Sequence, residues 1–269
     1  MKDHVDLSIA TAGSVGLVLQ VLQIACLHAK RHQIAVNING GGTYGTGAPS
    51  TSYVKNVTFP VFTLMGYQIN VEVPKHGFYP KGGAQAHATF NVPANLQNIY
   101  LEEREDLTRI SGVITIHNSL RNPRVGERIA EQVKKYLAIT QTPIEIEIQY
   151  TSALSVGVGV DLWAEFSSGT RLGSGTILGE RGVSSEKVGQ KAARELGNIL
   201  GGGSTVDSFL SDQILPLMAA CPEPCVIITP ALTLHAKTNI EILRMFDPSV
   251  KFSTESKGSL VKISSKHTP

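Results

Sequence analysis

Four stretches of the chain bring together side chains able to do chemistry. The first is Lys75-His-Gly-Phe-Tyr-Pro-Lys-Gly-Gly83. Its glycines and proline let backbone N–H groups approach a ligand, and Lys75, His76 and Lys81 add positive charge suited to phosphate. A long hairpin whose glycines only make the turn explains the same spacing. The second is His235, in Pro230-Ala-Leu-Thr-Leu-His-Ala-Lys-Thr-Asn239, after an expected strand and before an expected helix. A neutral imidazole there can act as base, metal ligand or nucleophile, with Lys237 and the helix N-terminus ready to attract an anion. A histidine that merely closes an element boundary is the plainer alternative. No Cys, His or Glu at ligand spacing completes a metal cage around it.

The third stretch is Asp207-Ser-Phe-Leu-Ser-Asp-Gln213, in the first turns of a helix that must turn Phe209, Leu210, Ile214 and Leu217 inward. Asp212 and Gln213 fall beside that face, so capping or contact with a polar ligand accounts for them. The fourth is Gln20, a polar side chain in the apolar stretch Val15–Ala29, which needs a partner in the backbone or on a base edge. Neither GxxxxGK[ST] nor GxGxxG after a strand occurs, which removes two common nucleotide folds. The run Gly40-Gly-Gly-Thr-Tyr-Gly-Thr-Gly47 lacks the Lys-Ser/Thr ending.

The elements that must position these residues fall into three regions. From Met1 to about Pro93, a strand at Val5–Ala10 leads through a capping Ser14 into the helix Val15–Ala29. A strand Ile34–Ile38, a helix within Thr51–Gly66 and strands near Gln68–Val73 and Gln85–Val92 follow. From about Arg171 the order repeats: a strand ending near Leu178 and a helix Ser185–Leu200 capped by Ser184, then a helix Val206–Ala220. A strand Val226–Thr229, a helix Lys237–Phe246 and the hairpin Val250–Thr254 with Ser259–Ile263 complete it. Between them, 99–168 holds a polar helix Arg124–Thr140 and the alternating strand Ile144–Tyr150, one sheet face polar and the other apolar. The expected architecture is α+β: a main domain from residues 1–98 and 169–269, with 99–168 inserted as a small α/β domain.

Composition supports a globular chain. Of 269 residues, 42% are hydrophobic and 17% charged, with net charge +2, too mild to mark a nucleic-acid binder by itself. Cys26, Cys221 and Cys225 make no disulfide framework and fit a reducing compartment. The first residues, Met1-Lys-Asp-His-Val-Asp6, carry acids where a secretory leader needs an apolar run, and no membrane span is expected. The expected location is the cytoplasm.

Taken together, these loops resemble the RNA 3′-terminal phosphate cyclase family. Residues 75–84 are similar to the family signature, with Ala84 in place of its third glycine. Thr11-Ala-Gly-Ser14 and Leu17-Val-Leu-Gln20 resemble the family's approach to a helix that carries an adenine-contacting glutamine. Glu180–Glu186, Asp212-Gln-Ile-Leu-Pro216 and His235-Ala-Lys-Thr-Asn-Ile240 follow in the family order, so the likeness covers essentially the whole chain.

The resemblance implies repeated units, each two helices on a four-stranded sheet, with a small α/β domain inserted before the last unit. It implies a nucleotide-binding ligase of RNA processing, in which ATP and Mg²⁺ or Mn²⁺ turn an RNA 3′-phosphate end into a 2′,3′-cyclic phosphate. His235 would be the nucleophile that takes AMP. Gln20 and Phe209, Leu210, Ser211, Asp212 and Gln213 would line the ATP site, although relatives commonly carry Tyr or His at the position of Phe209. The family's first unit, with its Glu-Gly-Gly-Gly-Gln segment and phosphate-binding arginines, has no counterpart in these residues, which leaves the metal ligands unassigned. A catalytically impaired or non-enzymatic ribosome-assembly factor on the same scaffold is the alternative, and the presence of His235 favours the catalytic branch.

Overall fold

The computed structural model describes residues 3–27 and 29–268. Three four-stranded sheets organise the chain. In the first, β1 (His4–Ser14) runs parallel to β2 (Gln33–Gly42), and β4 (Gln85–Asn91) and β3 (Gln68–Lys75) complete the order β1-β2-β4-β3. Helix α1 (Val15–Leu27) connects the parallel pair, and the Ser14 hydroxyl caps it by accepting from Leu17 N at 3.1 Å. The expected end of this helix at Ala29 includes residue 28, which lies outside the described residues. The second crossover starts with α2 (Thr51–Tyr53), passes through a π-helical turn (Val54–Thr58) and ends in α3 (Phe59–Leu64).

A second unit repeats this plan. Its strands β5 (Tyr100–Leu101), β10 (Cys225–Thr229), β11 (Val250–Lys257) and β12 (Leu260–His267) pair in the order β5-β10-β12-β11, with β5 and β10 parallel. Its helices are α6 (Ser208–Ala220) and α7 (Leu234–Phe246). The order strand, helix, strand, helix, strand, strand therefore occurs twice. One apolar core joins the units: Val15, Leu19, Phe62 and Tyr67 pack in the same cluster as Leu210, Ile214 and Met218.

The insertion sits inside the second unit, between β5 and α6. Its sheet has the order β7-β6-β8-β9, built from β6 (Leu107–His117), β7 (Ile144–Thr151), β8 (Val158–Phe166) and β9 (Arg171–Leu178). Helices α4 (Val125–Leu137) and α5 (Ser185–Gly202) cover one face. This corrects the expected boundary at residue 168. Val188, Ala192 and Leu196, four residues apart on α5, share a core with Ile129 and Val133 of α4 and with Ile110, Val160 and Leu162 of the sheet. The strand ending at Leu178 and the helix Ser185–Leu200 therefore belong with the middle segment; the second unit takes its first strand from Tyr100–Leu101. Among the described residues no helix is long and apolar enough to cross a membrane.

Candidate functional site

Helices α6 and α7 bring two of the sequence-identified stretches together at their first turns. His235 stands exposed at the start of α7, whose N-cap is Thr233. The Thr233 hydroxyl accepts from Ala236 N at 2.9 Å and donates to the Asp212 carboxylate. Asn239 of α7 donates its amide to the Asp212 carbonyl at 3.0 Å. Burial raises the Asp212 carboxyl above its usual range, opposed by the Thr233 hydrogen bond and the nearby His235 imidazole. The structure thus sets an imidazole, a carboxylate and the N–H groups of a helix start within one small region.

Of the remaining expected residues, Phe209 is half-exposed, with its ring edge-on to Tyr53 at 6.1 Å between centroids. Leu210 is buried in the core. Ser211 is buried and donates to Ser208 O at 2.9 Å. Gln213 is buried too, and its amide oxygen accepts from the Thr58 hydroxyl at 2.9 Å. These three pack the helix in place, which leaves Phe209 and Asp212 on the accessible side. Gln20 departs from the expectation of a buried polar group. It is half-buried and makes no side-chain hydrogen bond among the described residues, whereas Gln23, one turn on, is buried with an unpartnered Oε1.

The loop 75–83 turns out to be knitted backbone to backbone. Gly40 N donates to Ala84 O at 2.7 Å, Ala84 N to Gly41 O at 3.1 Å, and Thr43 N to Gly77 O at 2.9 Å. A methyl group on Gly77 would stand 2.4 Å from the Gly41 carbonyl oxygen, so glycine is required there for close approach. His76 is a further correction. Burial pushes its imidazole down to about 4, so it stays neutral near pH 7 and gives a phosphate no charge. Its Nδ1 lies 3.1 Å from the Thr43 hydroxyl. Lys81 is exposed and Lys75 half-buried.

Two features escaped the sequence. A cleft of about 680 Å³ opens between the π-helical turn and the uncovered face of the insertion sheet, lined by Lys55, Asn56, Arg109, Glu145, Glu165 and Arg171 among others. Its charges largely answer one another, Glu165 accepting from Arg109 at 3.0 Å, Ser111 at 2.8 Å and Trp163 at 2.9 Å. Neither His235 nor Phe209 lines it. The other is Asp161, fully buried where the insertion meets the first unit, accepting from Ser50 at 2.8 Å and Thr176 at 2.7 Å. No local pattern flags either, because their partners come from separate segments, up to 111 residues apart for Ser50 and Asp161.

Comparison with known proteins adds to this geometry. The sequence model of the RNA 3′-terminal phosphate cyclase family matches residues 1–253. An RNA 3′-terminal phosphate cyclase of Methanothermobacter thermautotrophicus is 40% identical over 237 residues, which is 87% of this chain and 67% of that protein. The protein of the same name from Methanosarcina barkeri is 36% identical over 260 residues, 96% of this chain and 74% of its own length. A third, from Caldivirga maquilingensis, is 32% identical over 247 residues and covers 90% of this chain and 68% of its own. With the match running through the first unit, the insertion and all of the second unit but its end, this chain belongs to the RNA 3′-terminal phosphate cyclase family.

Proposed function

We propose that this chain uses ATP to convert an RNA 3′-terminal phosphate into a 2′,3′-cyclic phosphate, through a covalent histidine–AMP intermediate on His235. The observation that carries the reading is His235 itself, exposed on the first turn of α7 beside Asp212 and α6. A 3′-phosphate has no good leaving group, so it must first be activated. The His235 Nε2 lone pair attacks the α-phosphorus of ATP, the bond to pyrophosphate breaks, and a phosphoramidate forms. An oxygen of the RNA 3′-phosphate then attacks the same phosphorus and the imidazole leaves, giving a 3′-to-5′ pyrophosphate link. Finally the 2′-hydroxyl attacks the 3′-phosphorus, loses its proton, and expels AMP.

Each accessible residue has a part in this scheme. The start of α7 and Lys237 attract the phosphates, Phe209 offers an aromatic face to adenine, and the free Gln20 amide offers a base-edge contact. Mg²⁺ or Mn²⁺ would neutralise phosphate charge. Among the described residues no three His, Cys, Asp or Glu side chains converge, so the residues present do not form an all-protein metal cage. RNA 3′-phosphate ends are the partner on this reading, and the cytoplasm, where free thiols persist, is the setting.

The test is incubation with α-labelled ATP and a divalent cation. An acid-labile, base-stable label on the wild-type chain, absent from His235→Ala, is expected. Label kept by His235→Ala refutes the assignment. A wild-type chain that takes no label yet still binds 3′-phosphorylated RNA would instead be the non-enzymatic factor.

A further inference from the structure

Asp207 is fully buried, and its carboxylate accepts four hydrogen bonds from three separate parts of the chain. Oδ1 takes the N–H groups of Phe209 and Leu210, both at 2.9 Å, as the N-cap of α6. The same oxygen takes the Tyr53 hydroxyl of α2 at 2.7 Å. Oδ2 takes the backbone N–H of Gly173, at 2.8 Å, on β9 of the insertion. A serine would serve as the cap alone. The second carboxylate oxygen does something a cap does not require: it ties the first turn of α6 to an edge strand of the insertion.

The glycines of that strand show what the tether sets. A methyl group on Gly173 would stand 2.4 Å from the Tyr53 ring, and one on Gly175 would stand 2.6 Å from the Phe209 ring. The Phe209 ring therefore rests against the bare backbone of β9 while about half of its surface, 54%, stays open.

We propose that Asp207 is a positioning residue that, by binding Gly173, seats the Phe209 ring on Gly175 and makes the insertion one wall of the base-binding site. The base-binding part rests on the nucleotide reading above; the tether itself does not. On this account the insertion shapes recognition of the adenine ring and leaves the phosphate end of the site, at α7, to other groups.

Asp207→Asn keeps the size of the side chain and an oxygen for the helix cap, but turns an amide donor toward the Gly173 N–H. In a Phe209→Trp protein, whose other indole, Trp163, is buried, adding Asp207→Asn should raise acrylamide quenching of the introduced indole at least twofold. Unchanged quenching overturns the tether, whether or not nucleotide binds. With Phe209 intact, Asp207→Asn should weaken AMP and ATP alike by at least tenfold while inorganic triphosphate binds as before. Gly175→Ala, which removes no Asp207 hydrogen-bonding group but puts a methyl where the Phe209 ring lies, should give the same base-selective loss. Equal weakening of inorganic triphosphate, or no weakening of AMP, overturns the positioning role. A wild-type chain that binds neither AMP nor ATP refutes the function proposed above, and with it the base-binding role, while the quenching comparison still decides the tether.

Discussion

Replacing Asp161 by asparagine should make this protein more stable at pH 8 and leave it nearly unchanged at pH 4. The Asp161 carboxyl is buried between the insertion and the first unit and makes no ion pair among the described residues. Oδ1 accepts from Ser50 and Thr176, while Oδ2 has no hydrogen-bond partner among the described residues. Burial pushes the carboxyl from its ordinary 3.8 up to about 6, and hydrogen bonds from Thr176 and Ser50 only partly offset this. A folded pKa above the unfolded one means the native state holds this proton more tightly. The associated stability is fully present below about pH 4 and is lost as pH rises through about 6. With about 1.4 kcal/mol for each of roughly two pKa units, the ionised carboxylate costs the folded state about 3 kcal/mol at pH 8. Asparagine keeps the acceptor and carries no charge. Urea unfolding of both proteins at several pH values should give a stability difference that grows from near zero at pH 4 to about 3 kcal/mol in favour of asparagine at pH 8. A difference independent of pH, or a less stable variant at pH 8, refutes the reasoning.

Three other outcomes follow from single contacts. The Arg104 guanidinium donates to the carbonyls of Ile199, Leu200 and Ser204 at the end of α5, so Arg104→Ala should cost about 2–4 kcal/mol in thermal or urea unfolding. Arg104→Lys should recover little of it, because an ammonium cannot span three carbonyls as the planar fork does; full rescue by lysine argues against the geometry. His76 should titrate near 4 when its ring protons are followed by nuclear magnetic resonance, and a midpoint near the ordinary 6.5 refutes its burial as the cause. Gly77→Ala should destabilise the loop severely, since the added methyl meets a backbone carbonyl that cannot step aside, and a variant that unfolds at the wild-type temperature contradicts the close approach seen here.

Local chemistry made much of the fold legible. Ser14, Ser184 and Thr233 sit at helix starts as hydroxyl caps, and the alternation in Ile144–Thr151 marks a strand with one polar face. The boundary of the insertion was not legible, because the apolar stripe of α5 shows only that it packs, not against what. Val188, Ala192 and Leu196 would suit either core. In the same way, the sequence places Asp207 in the first turns of a helix, but the Gly173 N–H that donates to its second oxygen comes from a strand whose pairing no local rule reveals. His235 and Asp212 were each visible as reactive types; their meeting depends on α6 and α7 lying side by side in the second unit.

The insertion interrupts the second unit between β5 and α6, and this has a kinetic side. To pair β5 with β10, the chain must close a loop of about a hundred residues, a costly step in chain entropy. The folded insertion shortens that path. Arg104 near its beginning binds Ser204 near its end, and the Thr205 hydroxyl donates to Leu101 O at 2.7 Å, so the two ends lie side by side. Once the insertion has folded, about two dozen residues, α6 among them, are left to close. By the logarithmic dependence of closure entropy on length, that lowers the cost by roughly 1–2 kcal/mol. Folding the inner sheet first would therefore ease completion of the outer one, and parting Arg104 from Ser204 should slow assembly of β5 with β10 more than it speeds unfolding.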